Sequence, residues 1–195
     1  MTVVSDIILD ESWTNISELK ERDIDVIQVI QIEDLAYFTF IGLKRRLKIH
    51  PETLSRILTR LTQDGILKKT NKGYSLTTKG KHLLNQQNQG GATPTRIPAL
   101  QSFIPPDLSV NKIVSDLRGK WFGSLRWLGY SVSEGTIELK WITTNGEIIV
   151  SAVFVDGMLQ IYSKAISENN YSSRMSVSYQ LMGYITKLIS KAENN

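Results

Sequence analysis

The sequence predicts an α+β fold in two domains: an N-terminal domain of helices with one β-hairpin, and a C-terminal four-stranded antiparallel sheet flanked by helices. Three observations support this prediction. Apolar residues recur at helical spacing between residues 43 and 61, a proline-rich segment divides the chain, and apolar and polar residues alternate after residue 121. The predicted boundaries are 1–84 for the first domain, 85–107 for the linker and 108–195 for the second domain.

The first domain is predicted to begin with one or two helices between about residues 16 and 35. Asn15 and Glu18 have the spacing of a capping box. A further helix is predicted over residues 40–48, for which Thr39 is a suitable N-cap.

Residues 51–64 are predicted to form the second helix of a helix–turn–helix pair. Pro51 suits the first helical position, where a missing N–H costs nothing, and Gly65 suits the residue just past the end. Leu54, Ile57, Leu58 and Leu61 form the apolar stripe of this helix. The outward positions are Glu52, Ser55, Arg56, Thr59, Arg60 and Gln63.

Two short strands, about 66–69 and 74–77, are predicted after this helix. The turn between them contains Asn71 and Gly73, which suit the unusual backbone angles of a tight hairpin. A closing helix is predicted from Lys79 onward.

The runs LTQDGIL (61–67) and LTTKG (76–80) follow the second helix and the hairpin. With these runs, residues 39–84 resemble the winged helix–turn–helix of MarR-like and related archaeal and bacterial transcription regulators. The resemblance implies that the helix from Pro51 is a recognition helix for the major groove of double-stranded DNA. It also implies that the hairpin is a wing, which lies along the DNA backbone or the minor groove.

The charged residues are distributed unevenly along the chain. Residues 44–81 carry eleven basic and two acidic side chains, a net charge of +9, whereas residues 1–43 carry two basic and nine acidic ones, a net charge of −7. A concentrated basic segment is typical of nucleic-acid binding. The acidic bias of residues 1–43 suggests that this face points away from DNA. The alternative for the basic segment is a solvated face without a partner.

The candidate DNA-binding residues are basic side chains, which neutralise phosphates, and polar side chains on the exposed face of the recognition helix. They are Lys44, Arg45, Arg46, His50, Thr53, Ser55, Arg56, Thr59, Arg60, Lys68, Lys69 and Lys72. Arg56 and Arg60 are one helical turn apart, so that one can contact a guanine edge while the other holds a phosphate. The sequence does not decide which does which, and Arg56 is the strongest single candidate.

Four of the five prolines lie in the segment 85–107, whose composition is typical of a linker. The second domain is predicted to contain a helix from Val110 that ends at Gly119, and a final helix over about 173–191. Between them, four strands joined by hairpin turns are predicted over 121–132, 136–142, 147–155 and 158–163. The aromatic residues of this domain suit its core or, on an uncovered sheet face, a dimer interface or an effector pocket.

Several classes of function lack support in the sequence. The chain has no cysteine, no recognisable catalytic triad, no phosphate-binding glycine loop and no metal-ligand cluster, so we expect neither an enzyme nor a cofactor or metal. It contains neither a signal peptide pattern nor a long apolar segment, so we expect a cytoplasmic protein that does not contact membranes.

The expected function is a DNA-binding transcription regulator, a homodimer that binds double-stranded DNA. Its C-terminal domain would serve for dimerisation or for sensing a small-molecule or protein effector. The alternative is a winged-helix protein-interaction module in a transcription or replication assembly.

Overall fold

The computed structural model describes residues 20–87, 96–133, 136–166 and 171–193. In this part of the chain, one antiparallel sheet of eight strands has helices on both faces. The helices are α1 (Glu21–Ile32), α2 (Phe40–Leu47), α3 (Pro51–Gln63), α4 (Thr78–Gln87), α5 (Val110–Leu117) and α6 (Tyr171–Glu193). The strands are β1 (Tyr37–Phe38), β2 (Leu67–Thr70), β3 (Gly73–Leu76), β4 (Leu100–Phe103), β5 (Leu125–Ser133), β6 (Thr136–Thr143), β7 (Ile148–Val155) and β8 (Met158–Ala165).

The predicted fold class, with a separate four-stranded sheet in the second domain, is wrong. The sheet has eight strands in the order β2-β3-β1-β5-β6-β7-β8-β4 and includes strands from both halves of the chain. Two short strands that the sequence pattern did not predict account for the difference. β1 pairs with β3 on one side and with β5 on the other, and β4 pairs with β8. β4 lies within the predicted linker, of which residues 88–95 are outside the described ranges.

The predicted elements of the helix–turn–helix and of the hairpin are confirmed. The Thr39 hydroxyl accepts a hydrogen bond from the N–H of Gly42 at 3.1 Å, as expected of the N-cap of α2. Lys48 ends α2 in the left-handed conformation with φ of 55°, and Gly65 follows α3 with φ of 70°. The four strands and two helices of the second half are also confirmed, with ends shifted by a few residues. The predicted capping box near Asn15 lies outside the described residues.

The sheet separates two hydrophobic clusters because successive side chains of a strand point to opposite faces. Trp127 and Trp141 pack in the cluster that α5 and α6 cover. Their neighbours along the chain, Leu128 and Ile142, pack in the cluster that contains buried residues of α1, α2 and α3. The helix–turn–helix therefore rests directly on strands of the second half of the chain.

The contact between β1 and β5 requires a glycine at position 129. A Cβ atom on Gly129 would lie 2.0 Å from the backbone oxygen of Tyr37 and 2.9 Å from the Cα atom of Phe38. The register between β5 and β6 also shifts between Trp127 and Gly129, as in a β-bulge. Close backbone approach thus explains why the strand interior contains a glycine.

A buried network of charges holds α1 and α2 against the sheet. The side chain of Glu33, which follows α1, is only 2% exposed, and its carboxylate lies 2.8 Å from Nε of Arg46 in α2 and 2.6 Å from Nζ of Lys164 in β8. Nζ of Lys140 in β6 donates a hydrogen bond to the backbone carbonyl of Glu33 and lies 3.4 Å from a carboxylate oxygen of Glu138. Burial lowers the pKa of Lys140, whereas the negative charge of Glu138 acts in the opposite direction.

We expect Glu33→Gln to lower the free energy of unfolding by about 1–3 kcal/mol, because it removes the negative charge that Arg46 and Lys164 share. Glu52→Gln, at an exposed position of α3, removes the same charge and should change this free energy by less than about 0.5 kcal/mol. Urea denaturation measures both values. Equal effects of the two substitutions would contradict a structural role for the network.

Gly129→Ala should lower the free energy of unfolding by at least about 2 kcal/mol, because backbone atoms of β1 occupy the space that a Cβ needs. The matched control is Gly183→Ala in α6, where no atom of the described residues lies within 4 Å of a Cβ. This control should raise the free energy of unfolding by about 0.5–1 kcal/mol through helix propensity. Chemical denaturation followed by circular dichroism measures both, and a Gly129→Ala protein as stable as the parent would refute the requirement.

Candidate nucleic-acid interface

α3 presents a polar face to solvent because its apolar stripe is buried. Leu54, Ile57, Leu58 and Leu61 are at most 1% exposed. The exposed side chains on the other side of the helix are Glu52, Ser55, Arg56, Thr59 and Gln63. Within the described ranges no carboxylate forms an ion pair with Arg56, so its guanidinium is available to a ligand. The predicted recognition face is therefore present on the surface.

Arg60 forms an ion pair with a residue of another helix. Its Nε donates to a carboxylate oxygen of Asp23 at 3.1 Å, and its Nη2 donates to the other oxygen. Asp23 lies in α1 and is 2% exposed, so this two-point contact joins α3 to α1. The hydrogen bond to Asp23 raises the pKa of Arg60 above its ordinary value. Of the two arginines one turn apart on α3, Arg56 is the more exposed, and Arg60, whose side chain is 34% exposed, is the one held by an ion pair.

Arg46 and Arg45 on α2 are also engaged by the protein. Arg46 binds Glu33, as described above. The guanidinium carbon of Arg45 lies 5.9 Å from the ring centroid of Trp121, and that of Arg126 lies 4.9 Å from the same centroid. Burial lowers the pKa of Arg45, and the positive charge of Arg126 adds to this effect. The sequence held no signal for this contact, because Trp121 and Arg126 lie about eighty residues from α2.

The lysines of the hairpin that the sequence predicts to contact DNA do not share one face of the hairpin. Lys68 stands directly across from Ser75, and Lys69 stands across from Tyr74. Because side chains alternate along a strand, Lys68 and Lys69 point to opposite faces of the sheet. Both are exposed, as is Lys72 in the turn between β2 and β3. The three lysines therefore surround the wing rather than form one row.

The remaining predicted residues lie near the start of α3 and on α2. His50 is the exposed N-cap of α3, and its carbonyl accepts a hydrogen bond from the N–H of Leu54 at 3.1 Å. Thr53 and Lys44 are half-buried. The Thr59 hydroxyl donates to the Ser55 carbonyl at 2.9 Å, which leaves its lone pairs for an incoming donor.

Other kinds of site find little support in the described structure. None of its clusters of histidine, aspartate and glutamate brings together three side chains suited to hold a metal ion. Among the helices described, none combines the length and apolar character needed to cross a membrane.

The chain has no significant match to a protein-family model, a curated protein or a solved structure. The class of function must therefore be inferred from the residues themselves.

Arg60→Gln should lower the free energy of unfolding by about 1–3 kcal/mol, because it leaves the buried carboxylate of Asp23 without its partner. Arg56→Gln removes the same charge from the same helix and should change this free energy by less than about 0.5 kcal/mol. Urea denaturation of both variants is the measurement. Similar stabilities would show that the two arginines are equivalent, contrary to the structure.

Proposed function

We propose that this protein is a DNA-binding transcription regulator that places α3 in the major groove of double-stranded DNA. The observation that carries the proposal is the solvent-exposed polar face of α3, on which Arg56 is not paired with any carboxylate in the described part of the chain. Arginine can donate two hydrogen bonds to the major-groove edge of guanine, and Ser55 and Thr59 can bond to several bases. α3 follows a short turn after α2, which is the arrangement of recognition helices in helix–turn–helix proteins.

The wing hairpin supplies phosphate contacts in this proposal. Arg45, Arg46 and Arg60 contact other side chains of the protein, so the net charge of the basic segment overstates the number of phosphates that it neutralises. The exposed cations of α3 and the wing are Arg56, Lys68, Lys69 and Lys72. Two to four phosphate contacts per subunit would give a log–log salt slope of roughly −2 to −4 per subunit.

We also propose that the regulator is a cytoplasmic homodimer. β4 lies at one edge of the sheet, where its outer backbone groups can pair with a second copy. Phe103 at the end of this strand is 83% exposed, and Ile97 just before it is 88% exposed. A two-fold dimer would recognise two related half-sites on DNA.

Arg56→Ala should weaken binding to the preferred DNA sequence by about 1–3 kcal/mol, or roughly five- to 150-fold, because a base-edge contact is lost. The DNA is selected by the purified protein from a random-sequence library, and affinity is measured by fluorescence anisotropy at several salt concentrations. Lys187→Ala removes an equal charge from the exposed surface of α6 and should leave the affinity unchanged within about twofold.

Two results would contradict the proposal. One is a parent protein that enriches no sequence from the library. The other is an Arg56→Ala protein that binds the selected DNA as tightly as the parent does. A binding affinity that does not depend on salt, together with a protein that co-purifies with the chain, would instead favour the protein-interaction module.

A further inference from the structure

A groove of about 680 Å³ lies beside the wing, on the sheet face that α5 and α6 cover further along. Ser75, Tyr37 and Tyr130 stand directly across from one another on β3, β1 and β5, so their side chains share this face. The end of α5 forms one wall of the groove, and the wing turn forms another. The volume is in the range of sites that bind small molecules in proteins.

The groove contains flat aromatic surfaces. The rings of Tyr37 and Tyr130 are stacked, with centroids 5.2 Å apart and planes inclined by 16°. Both side chains are half-buried, and Trp127, a residue of the adjoining hydrophobic cluster, also lines the groove. Burial raises the pKa of Tyr37 above its ordinary value. These rings match a ligand that contains a planar ring system.

The charges of the groove have one sign. The guanidinium carbon of Arg118 lies 4.5 Å from the ring centroid of Tyr130, and Lys72 in the wing turn also lines the groove. Among the described residues that line the groove there is no aspartate or glutamate. The side chains of Arg118 and Lys72 are exposed and form no ion pair within the described ranges, so both keep donors for an anion.

We propose that this groove binds a small ligand in which a planar ring carries an anionic group. The ring packs against Tyr37 and against the edge of Tyr130, whose two faces are covered by Tyr37 and Arg118. The anionic group lies between Arg118 and Lys72. The hydroxyls of Ser75 and Ser115 supply further polar contacts along the walls. Nucleotides and aromatic carboxylates both have this chemistry.

A ligand bound in this groove would also contact residues of the wing. Residues Thr70, Asn71 and Lys72 line the groove and form one side of the wing turn. A ligand that holds Lys72 withdraws it from a DNA phosphate, and binding of either partner then weakens binding of the other by the same factor. This regulatory step rests on the proposed function, whereas binding of the ligand to the groove does not.

The test uses isothermal titration calorimetry of the full chain without DNA. The two probes are AMP and 1-naphthoate, which distinguish a nucleotide from an aromatic carboxylate. Each probe has two controls: the uncharged ring compound, adenosine or 1-naphthalenemethanol, and the anion without a ring, phosphate or acetate. We expect saturable binding of at least one probe, with both of its controls at least about tenfold weaker.

Arg118→Gln should weaken binding of that probe by about tenfold, because a charge-assisted hydrogen bond is lost. The matched control is Lys112→Gln, which removes an equal charge from an exposed position of α5, outside the groove, and should change the affinity by less than about twofold. The proposal is overturned if neither probe saturates at concentrations up to about 5 mM. It is also overturned if the two variants bind equally well.

A final measurement separates this proposal from the proposed function. Titration of the selected DNA with and without the probe should show weaker DNA binding by the parent protein and a smaller change for Arg118→Gln at the same probe concentration. A probe that binds to a chain without DNA affinity would support the groove and refute the regulator. A DNA-binding chain that binds neither probe would support the regulator and refute the groove.

Discussion

The structure depends on a strand of two residues. Tyr37 and Phe38 form backbone pairs with β3 on one side and with β5 on the other. Without them, the β2–β3 hairpin and the strands β5 to β8 with β4 would be two separate sheets. Each separate sheet would then expose an additional unpaired edge. Phe38 is fully buried, and the missing Cβ of Gly129 leaves room for the backbone of β1. Side-chain packing and close backbone approach therefore both stabilise the pairing of β1 with β5. The helix–turn–helix is thereby held at a defined position on the second half of the chain.

The arginines of the basic segment serve two different purposes. Arg46 and Arg60 neutralise the buried carboxylates of Glu33 and Asp23, which lie on the acidic N-terminal side of the chain. Buried charges are costly unless they are paired, so these arginines allow the acidic residues to lie in the protein interior. Charge alone does not distinguish them from Arg56. The distinction requires the positions of α1 and α3, whose contact sets which arginine faces solvent.

Local patterns in the sequence predict the helices and most strands, because apolar spacing, caps and turn residues act over a few positions. They did not reveal β1, since two residues cannot show an alternation, or β4, which lies between Pro98 and Pro105 in a segment typical of a linker. Both strands are defined by pairing with distant parts of the chain. The exposed face of α3 was predictable from its apolar stripe. The groove that contains Tyr37, Tyr130 and Arg118 was not, because it forms only where three distant segments meet.

β2, the outer strand of the wing, and β4 are the two edge strands of one continuous sheet, separated by seven strand pairings. Adjacent strands in a twisted sheet are rotated by about 20–25°, so the two edges differ in direction by roughly 140–175°. In a dimer joined along β4, this rotation would determine how each wing is oriented relative to the dimer interface. The orientation of the wings would in turn set the distance between the DNA half-sites that the dimer spans. The twist of the sheet would then set the half-site spacing that the dimer recognises. A change in strand twist at the centre of the molecule would change this spacing.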